Sequence, residues 1–524
     1  MTWSTLAIQL CAAAASQAEG LNGDEPLPGR FAGKGIVIGL EYAVVNNQPL
    51  VHEMSRALAE TGMTGMKHFP DAVEWGDMQK GPDQKIDYTR LDWFVNEYQQ
   101  SGFTELTLCL KPHCTWGSVD VPPLGKYTDP SPKPEYRRLF EKWIQSVVER
   151  YDRDGVADMP GLRWPVRYLE IGSEFSSYEP EPVDAYLNTL GMAFRAAHNA
   201  YPAVRVGHAA FLITPVDLDV KNPADYDRVW AETKHPDPSH DLADQRAILD
   251  HPELFDFINI HNLGWPYEIE DILRWLRYET RRRGYSRPVV VSDTVPTSYI
   301  GWGPATTCTA KPLGYVCKPA VEADRCRLAD FFKKLVNKDA ASLAWTRGFV
   351  AADHTKRAVV AAEQGVKLIN LSFTGDITLA TMPFFQAAAG ISAWGGALRV
   401  DAFTGAVLER YPLFYAIRQL MGYLKSGSTV SRVKYADDRI RVYMIRAAGR
   451  RSWVAWFNPN KALLPEDGQP AITVSLATGA AKVTIEPVIT TMGQTEPDRR
   501  VVATKNSAVR LSLTHTPVYV TGGE

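Results

Sequence analysis

The stretch Arg167-Tyr168-Leu169-Glu170-Ile171-Gly172-Ser173-Glu174 reads as a short β-strand that ends in acidic residues. The segment before it has apolar residues three or four positions apart, the spacing of one face of an α-helix; they are Tyr136, Leu139, Phe140, Trp143, Ile144, Val147, Val148 and Tyr151. The next apolar segment, 204–207, again reads as a strand. A strand, a helix and a strand in succession predict a parallel sheet with helices packed on it.

The same alternation extends in both directions, from about Gly35 to Leu424. Eight strands are predicted, at residues 36–39, 65–69, 106–110, 168–172, 204–207, 257–261, 289–292 and 366–373. Eight strands with helices between them favour a closed α/β architecture, the (β/α)₈ or TIM barrel. A doubly wound open sheet is the alternative, but it requires a glycine-rich phosphate-binding turn after an early strand, and the sequence has none.

Beyond Leu424 the pattern changes to short β-rich segments separated by turn residues, which predicts an all-β sandwich. These segments are 433–435, 440–445, 453–457, 472–474, 483–485 and 517–520. The predicted domains are therefore a barrel at 19–424 and a β-sandwich at 425–524. A long polar insertion at 214–252 separates the fifth strand from the sixth.

Residues 1–18 contain a short apolar stretch followed by Ser16-Gln17-Ala18, a small-x-small cleavage pattern. This favours a signal peptide over a disordered tail, and the expected location is secreted or periplasmic. No apolar run reaches the roughly 18 residues that a membrane span needs. The formal net charge of −3 offers no basic excess for a nucleic-acid partner. Nothing in the sequence predicts the oligomeric state.

Cys308 and Cys317 lie in a stretch rich in Gly, Pro and Thr. In an oxidising compartment these two, or one of them with Cys326, are expected to form a disulfide. Zinc binding is the alternative, and the wide spacing without a nearby histidine disfavours it. No motif for a metal, nucleotide or flavin is visible, so no cofactor is expected.

Ionisable residues at the predicted strand ends carry the functional hypothesis, because barrel enzymes place their chemistry at the carboxyl ends of the strands. The fourth strand leads to Glu174, the seventh to Asp293 and the sixth to His261. Two carboxylates that face one cavity from different strand ends are what the cleavage of a glycosidic bond requires. Such carboxylates also serve as helix caps or loop ion pairs, so their placement alone leaves a purely structural role open.

The residues around these positions resemble motifs of the clan A glycoside hydrolases, especially the β-xylosidase and arabinofuranosidase families. Residues 167–174 resemble the fourth-strand motif W-E-I-G-N-E, and 288–294 resemble the seventh-strand motif P-I-W-V-T-E-T. Residues 255–261 are similar to the sixth-strand motif D-x-x-x-x-H. Further similarities follow in the family's order, at 74–76, 86–92, 394–398, 411–416 and 516–520.

This resemblance implies a glycosidase that acts on an oligo- or polysaccharide through two carboxylates, with retention of the anomeric configuration. Glu174 would be the general acid/base and Asp293 the nucleophile. Lys67 would hold the nucleophile ionised. Ser173 and His261 would line the subsite of the cleaved sugar.

The sequence departs from the family pattern at several positions around that one subsite. Asp293 replaces a glutamate and Ser173 replaces an asparagine. Lys67 replaces an arginine and lacks its bidentate fork, and Leu263 stands where a tyrosine is frequent. Two alternatives therefore stay open. One is a catalytically silent barrel that binds glycan; the other is an inverting glycosidase with Asp293 as the base, because the shorter side chain widens the gap between the carboxyls.

Several further residues near strand ends are candidates for substrate binding. Flat aromatic side chains stack on sugar rings, although they equally pack between loops; the candidates are Trp75, Trp116, Trp265, Trp302 and Trp394. His113 and His208 follow the third and fifth strands, and a structural role is the alternative for each. Glu170 is expected to pair with a basic neighbour, because a buried carboxylate requires one. Glu41 is a spare carboxylate after the first strand.

Overall fold

The computed structural model describes residues 35–522 except 44–46, 69–72, 121–127, 213–219, 233–239, 296–324, 377–393, 402–403, 426 and 461–462. Its central sheet consists of β1 Val37–Ala43, β2 Gly65–His68, β3 Glu105–Leu110, β4 Tyr168–Glu174, β5 Arg205–Ala210, β6 Ile258–Asn262, β7 Val289–Thr294 and β8 Leu368–Phe373. These strands are parallel, in the order β5-β4-β3-β2-β1-β8-β7-β6. Parallel bridges join Gly207 to Phe257 and Phe211 to Ile260. They connect β5 to β6 and close the predicted (β/α)₈ barrel.

Helices alternate with the strands and cover the outside of the barrel. They are α1 Gln48–Ala59, α2 Trp75–Met78, α3 Thr89–Gln100, α4 Arg137–Arg150, α5 Phe175–Tyr178, α6 Val183–Ala200, α7 Tyr226–Glu232, α8 Leu242–Leu249, α9 Glu268–Arg282, α10 Arg325–Val336, α11 Ala340–Glu363 and α12 Pro412–Tyr423. The apolar stripe predicted before the fourth strand forms α4, and it buries Phe140, Trp143 and Ile144. Burial of each such side chain contributes about 1.5–3 kcal/mol.

The barrel interior is apolar near the amino ends of the strands and polar further along. The apolar layer consists of Tyr168, Phe257, Val290 and Leu368. Gly207 lies beside Phe257, and a Cβ atom at that position would come within 2.1 Å of the phenyl ring. Two residues beyond Tyr168 in β4, Glu170 is completely buried. Charged groups thus occupy the half of the interior that leads to the carboxyl ends of the strands.

The predicted all-β region is confirmed as a sandwich of antiparallel sheets. A small hairpin of β9 Leu398–Val400 and β10 Val407–Arg410 precedes it. Its strands are β11 Thr429–Val433, β12 Ile440–Ala447, β13 Arg450–Phe457, β14 Ile472–Ala477, β15 Lys482–Pro487, β16 Arg500–Ala503, β17 Ala508–Leu513 and β18 Val518–Gly522. Six form one sheet in the order β11-β12-β13-β18-β15-β16, and β14 pairs with β17. The sequence interpretation missed β16 and β17; β16 is mostly exposed and so carries little apolar signal.

The larger sheet packs against the barrel. The ring of Tyr519 in β18 stacks on that of Tyr423 at the end of α12, with 4.1 Å between ring centroids. Trp456 Nε1 donates to the Tyr267 hydroxyl at 2.7 Å. The other face of the sheet meets β14 and β17 across a separate core that includes Val442, Ala455, Val474 and Leu511. Because side chains alternate between the two faces along each strand, one face of the sheet packs against the barrel and the other against β14 and β17.

Residues 1–34, with the predicted signal peptide, lie outside the described residues, as do Cys308 and Cys317. Cys109 and Cys114 are free and buried, whereas Cys326 is not among the free thiols. The loop disulfide stays a prediction. Within the described parts of the chain, no helix is both long and apolar enough to cross a membrane.

Candidate active site

Glu174, His261 and Asp293 meet at the carboxyl end of the barrel, where one oxygen or nitrogen atom of each lies within 4.8 Å of the others. Glu174 ends β4, and Asp293 lies near the end of β7, three strands away around the barrel. The side chain of Glu174 is 14% exposed, so it is accessible from the barrel mouth.

Each of these two carboxylates follows an irregular step in its strand. In β4, residues 171–174 run beside only 208–210 of β5, so β4 holds one extra residue. In β7, residues 291–293 run beside only 260–261 of β6, so β7 also holds one extra residue. A β-bulge bends its strand and re-aims the next side chain. The two bulges account for the convergence of carboxyl groups from distant strands.

The bulge in β4 is held by a buried ion pair. Gly172 has a φ of 78°, a conformation that favours glycine. The N–H of Ser173 donates to Asp129 Oδ2 at 2.9 Å, and Lys111 Nζ lies 3.2 Å from Asp129 Oδ1. Because Asp129 and Lys111 are almost completely buried, they fix the peptide that leads directly into Glu174.

His113 belongs to this ion-pair network and not to the group around Glu174. Its Nδ1 lies 2.8 Å from Glu74 Oε2, and that hydrogen bond raises the pKa of His113. Glu74 Oε1 in turn lies 3.7 Å from Lys111 Nζ. Ser173 is 6% exposed. It joins this network through its main-chain N–H, which donates to Asp129.

His261 connects Glu174 to the buried interior. Its Nδ1 donates to Glu174 Oε1 at 2.9 Å and its Nε2 donates to Ser292 Oγ at 3.0 Å. Burial opposes the charge of the ring, but hydrogen bonds with Glu170 and Glu174 raise the pKa of His261 to about 10. The ring is therefore an imidazolium at neutral pH, and it orients the carboxyl group of Glu174.

Lys67 is completely buried beneath the site, and its Nζ lies 2.8 Å from Glu170 and 3.3 Å from Glu41. The predicted direct contact between Lys67 and substrate is wrong, because its enclosed ammonium group pairs with two buried carboxylates. Its charge does lower the pKa of Asp293, the direction expected of a residue that keeps the nucleophile ionised. The expectation that Glu170 pairs with a basic neighbour is confirmed. Burial by itself raises the pKa of Glu170. The positive charge of Lys67 outweighs that effect, and the pKa falls to about 2.

Glu41 in β1 and Asp293 in β7 are close enough to interact electrostatically inside the barrel. Burial and then the charge of Asp293 raise the pKa of Glu41 well above its usual range. Burial also raises the pKa of Asp293, while His261 and Lys67 lower it. Two carboxyls in contact cannot both ionise easily. We assign the shared proton to Glu41, because its pKa is raised well above the usual range while His261 and Lys67 favour the charged form of Asp293.

The approach of Glu174, His261 and Asp293 is also close enough for metal ligands. Both ring nitrogens of His261 already form hydrogen bonds, to Glu174 and Ser292. As a ligand, His261 would have to give up one of these two hydrogen bonds, because a histidine offers a lone pair to a metal.

Two of the predicted sugar-stacking tryptophans are enclosed by the protein. Trp75 is completely buried, and its ring packs against Trp116 and Phe140. The predicted binding role of Trp75 is wrong, because neither face of its ring is free. Trp394 is 7% exposed, and its carbonyl accepts a hydrogen bond from Arg347. The structure therefore gives little support to the predicted stacking role of Trp394.

The remaining candidates for substrate binding are three tryptophans and His208. Trp116 is half-buried, and its Nε1 donates to the Gln79 carbonyl at 2.9 Å. Trp265 lines a pocket between the barrel and the sandwich, and Trp302 lies outside the described residues. His208 has the structural role, since it is fully buried and its Nδ1 donates to the Ala209 carbonyl at 2.7 Å.

The sequence interpretation missed Asp129 and Lys111 as residues that position Glu174, and it did not pair Glu41 with Asp293. Lys111 had a usable signal, since it directly follows the apolar strand 106–110 in a barrel. Asp129 had none, because its loop position does not indicate which main-chain group it meets.

No family model and no curated protein matches this sequence. Among solved structures, a family 39 glycoside hydrolase from Bacteroides cellulosilyticus WH2 is similar over 95% of this chain and 82% of its own, at 13% identity and a TM-score of 0.56. A family 51 α-L-arabinofuranosidase from Bifidobacterium longum is similar over 96% and 98%, at 10% identity and a TM-score of 0.55. A glucosidase from Croceicoccus marinus is similar over 96% and 98%, at 13% identity and a TM-score of 0.53.

These likenesses concern architecture alone. They cover both the (β/α)₈ barrel and the appended β-sandwich of this chain. The fold extends over nearly the whole chain, and it does not by itself define an activity.

Proposed function

We propose that this protein is a glycosidase that cleaves an oligo- or polysaccharide with retention of the anomeric configuration. The observation that carries the proposal is the approach of Glu174 and Asp293 at the carboxyl end of the barrel, with an oxygen of each within 4.8 Å. Retaining enzymes hold their two carboxyls about 5–5.5 Å apart, whereas inverting enzymes leave about 6.5–9.5 Å for a water molecule. The fold likeness to glycoside hydrolases supports the same class.

Glu174 acts as the general acid and then as the general base. It protonates the glycosidic oxygen as the leaving group departs, and later removes a proton from the water that attacks. For the first step Glu174 carries a proton on its other oxygen, because Oε1 accepts the hydrogen bond from His261 Nδ1 at 2.9 Å. The positive charge of His261 offsets the negative charge that Glu174 carries between the two steps.

Asp293 acts as the nucleophile on the anomeric carbon and forms a covalent glycosyl ester. It loses its negative charge in this step and regains it when water cleaves the ester. The positive charges of His261 and Lys67 stabilise the charged form of Asp293 before and after the covalent intermediate. Lys67 lies behind Glu41 at 3.3 Å and balances the buried acids.

The experiment is hydrolysis of a panel of aryl xylosides, arabinofuranosides and glucosides, with the product anomer recorded by NMR. Retention supports Asp293 as the nucleophile, and inversion makes it a base instead. Glu174→Gln should retain more activity on substrates with good leaving groups, which need no proton, than on poor ones. Asp293→Asn should lose activity on both kinds of substrate.

The matched control is Asp438→Asn in the sandwich, where the side chain is 92% exposed. It should leave every rate unchanged. If wild-type protein binds glycan but neither carboxylate variant alters any glycosidase rate, the protein is a silent glycan-binding barrel.

A further inference from the structure

A second pocket lies at the seam between the barrel and the sandwich. The loop after β6 and helix α11 contribute from the barrel, and the segments after β13 and before β18 contribute from the sandwich. Its lining includes Trp265, Tyr267, Asp353, Lys356, Asn458 and His515. None of these residues contributes to the carboxylate group of the active site.

Lys356 presents a buried amine to this pocket without a partner. It is 8% exposed, and its Nζ has no hydrogen bond or ion pair with a residue that the structure describes. Asp353, one helical turn earlier, pairs with Arg357 at 2.7 Å. Burial lowers the pKa of Lys356 to about 8. The charge of Asp353 raises this pKa in part, but Asp353 is paired with Arg357. A largely buried ammonium group without a direct ion pair favours a ligand that supplies an anion.

His515 gives the pocket a second unused polar group. It is 8% exposed, and its Nδ1 has no hydrogen-bond partner among the described residues. Burial lowers the pKa of His515 to about 3, so the ring is neutral. A neutral imidazole carries one N–H donor. Three other polar side chains of the lining already have partners: Asn458 bonds to Asn460 at 2.7 Å, Asp353 to Arg357 and Tyr267 to Trp456. Lys356 and His515 are therefore the groups we expect to hold a ligand.

We propose that this pocket binds the carboxylate of an acidic sugar. The cavity volume is about 30 Å³, which admits a carboxylate and excludes a sugar ring. The ring would remain outside, where half-buried Trp265 offers an aromatic surface. An ammonium group and a ring N–H that receive an anion beside an aromatic side chain fit a uronic acid.

The test is isothermal titration of the full-length protein with glucuronate, glucose and acetate. We expect glucuronate to bind, and glucose and acetate to bind at least about tenfold more weakly, a difference of roughly 1.4 kcal/mol. Lys356→Met should weaken glucuronate binding at least about tenfold, while the exposed control Lys334→Met should not. Asp293→Asn should also keep full binding, which separates this site from the active site.

Equal binding of glucuronate by Lys356→Met and wild type would overturn the proposal. If acetate bound as tightly as glucuronate, the proposal that the pocket recognises a sugar would be overturned. If glucose bound as tightly, the proposal that it recognises a carboxylate would be overturned. His515→Phe is the second variant, and it should also weaken glucuronate binding if Lys356→Met fails to fold.

Discussion

The ammonium group of Lys67 lies 2.8 Å from the carboxylate of Glu170, and neither side chain is exposed to solvent. Both residues come from barrel strands, β2 and β4, and they carry opposite charges into an interior that water does not reach. This ion pair lies in the barrel interior beneath His261, Glu41 and Asp293 and supports their arrangement.

Lys67→Met should strongly destabilise the protein, because it leaves Glu170 and Glu41 buried without their cation. Breaking a buried pair by removing one partner costs about 3–5 kcal/mol. Urea unfolding at pH 7 measures the loss of free energy of unfolding. The control is Lys85→Met at an exposed position, where we expect a change within about 0.5 kcal/mol. A Lys67→Met protein as stable as wild type would mean that the acids are protonated without the lysine.

His261 should make stability depend on pH on the alkaline side. Its pKa is raised to about 10 in the folded protein, above the roughly 6.5 of an unfolded histidine. Its contribution is therefore complete below about pH 6.5 and is lost as the pH rises through 10. The difference in free energy of unfolding between wild type and His261→Gln should shrink by about 2–5 kcal/mol from pH 6 to 10. A constant difference over that range would contradict the imidazolium assignment.

Asp129→Ala should lower kcat by about 10- to 100-fold while KM changes little, because a misplaced acid costs transition-state stabilisation without removing a substrate contact. Kinetics on an aryl glycoside with a poor leaving group measure this effect. Asp129→Asn retains an acceptor for the Ser173 N–H and should recover most of the rate. Asp120→Ala, at a 95% exposed position, is the control. Full kcat in Asp129→Ala would show that the β4 bulge holds without it.

Gly207→Ala should destabilise the barrel by about 1–3 kcal/mol, the cost of overpacking a core, because the new Cβ would meet the ring of Phe257 at 2.1 Å. Thermal or urea unfolding measures it. The double variant with Phe257→Leu should recover part of the loss. Gly422→Ala in α12 is the matched control, since nothing lies within 4 Å of its Cβ position. It should stabilise by up to about 1 kcal/mol.

The positions of the eight barrel strands were predictable from sequence, because buried parallel strands are nearly continuous apolar runs and the helices between them have a clear apolar face. The stripe from Phe140 to Val148 predicted α4 for that reason. β16 was not predictable, because an edge strand with exposed side chains has no such pattern.

The sequence by itself determined the order of strands and helices, the two structural regions, and the placement of Glu174, His261 and Asp293 at strand ends. Local periodicity and strand alternation are properties of neighbouring residues, so they can be read from the chain. Only the tertiary structure decided which charges meet. It paired Lys67 with Glu170 and Glu41, buried Trp75, and joined Asp129 to the Ser173 peptide. These contacts depend on bulges and on the closure of the barrel, which bring together residues far apart in sequence.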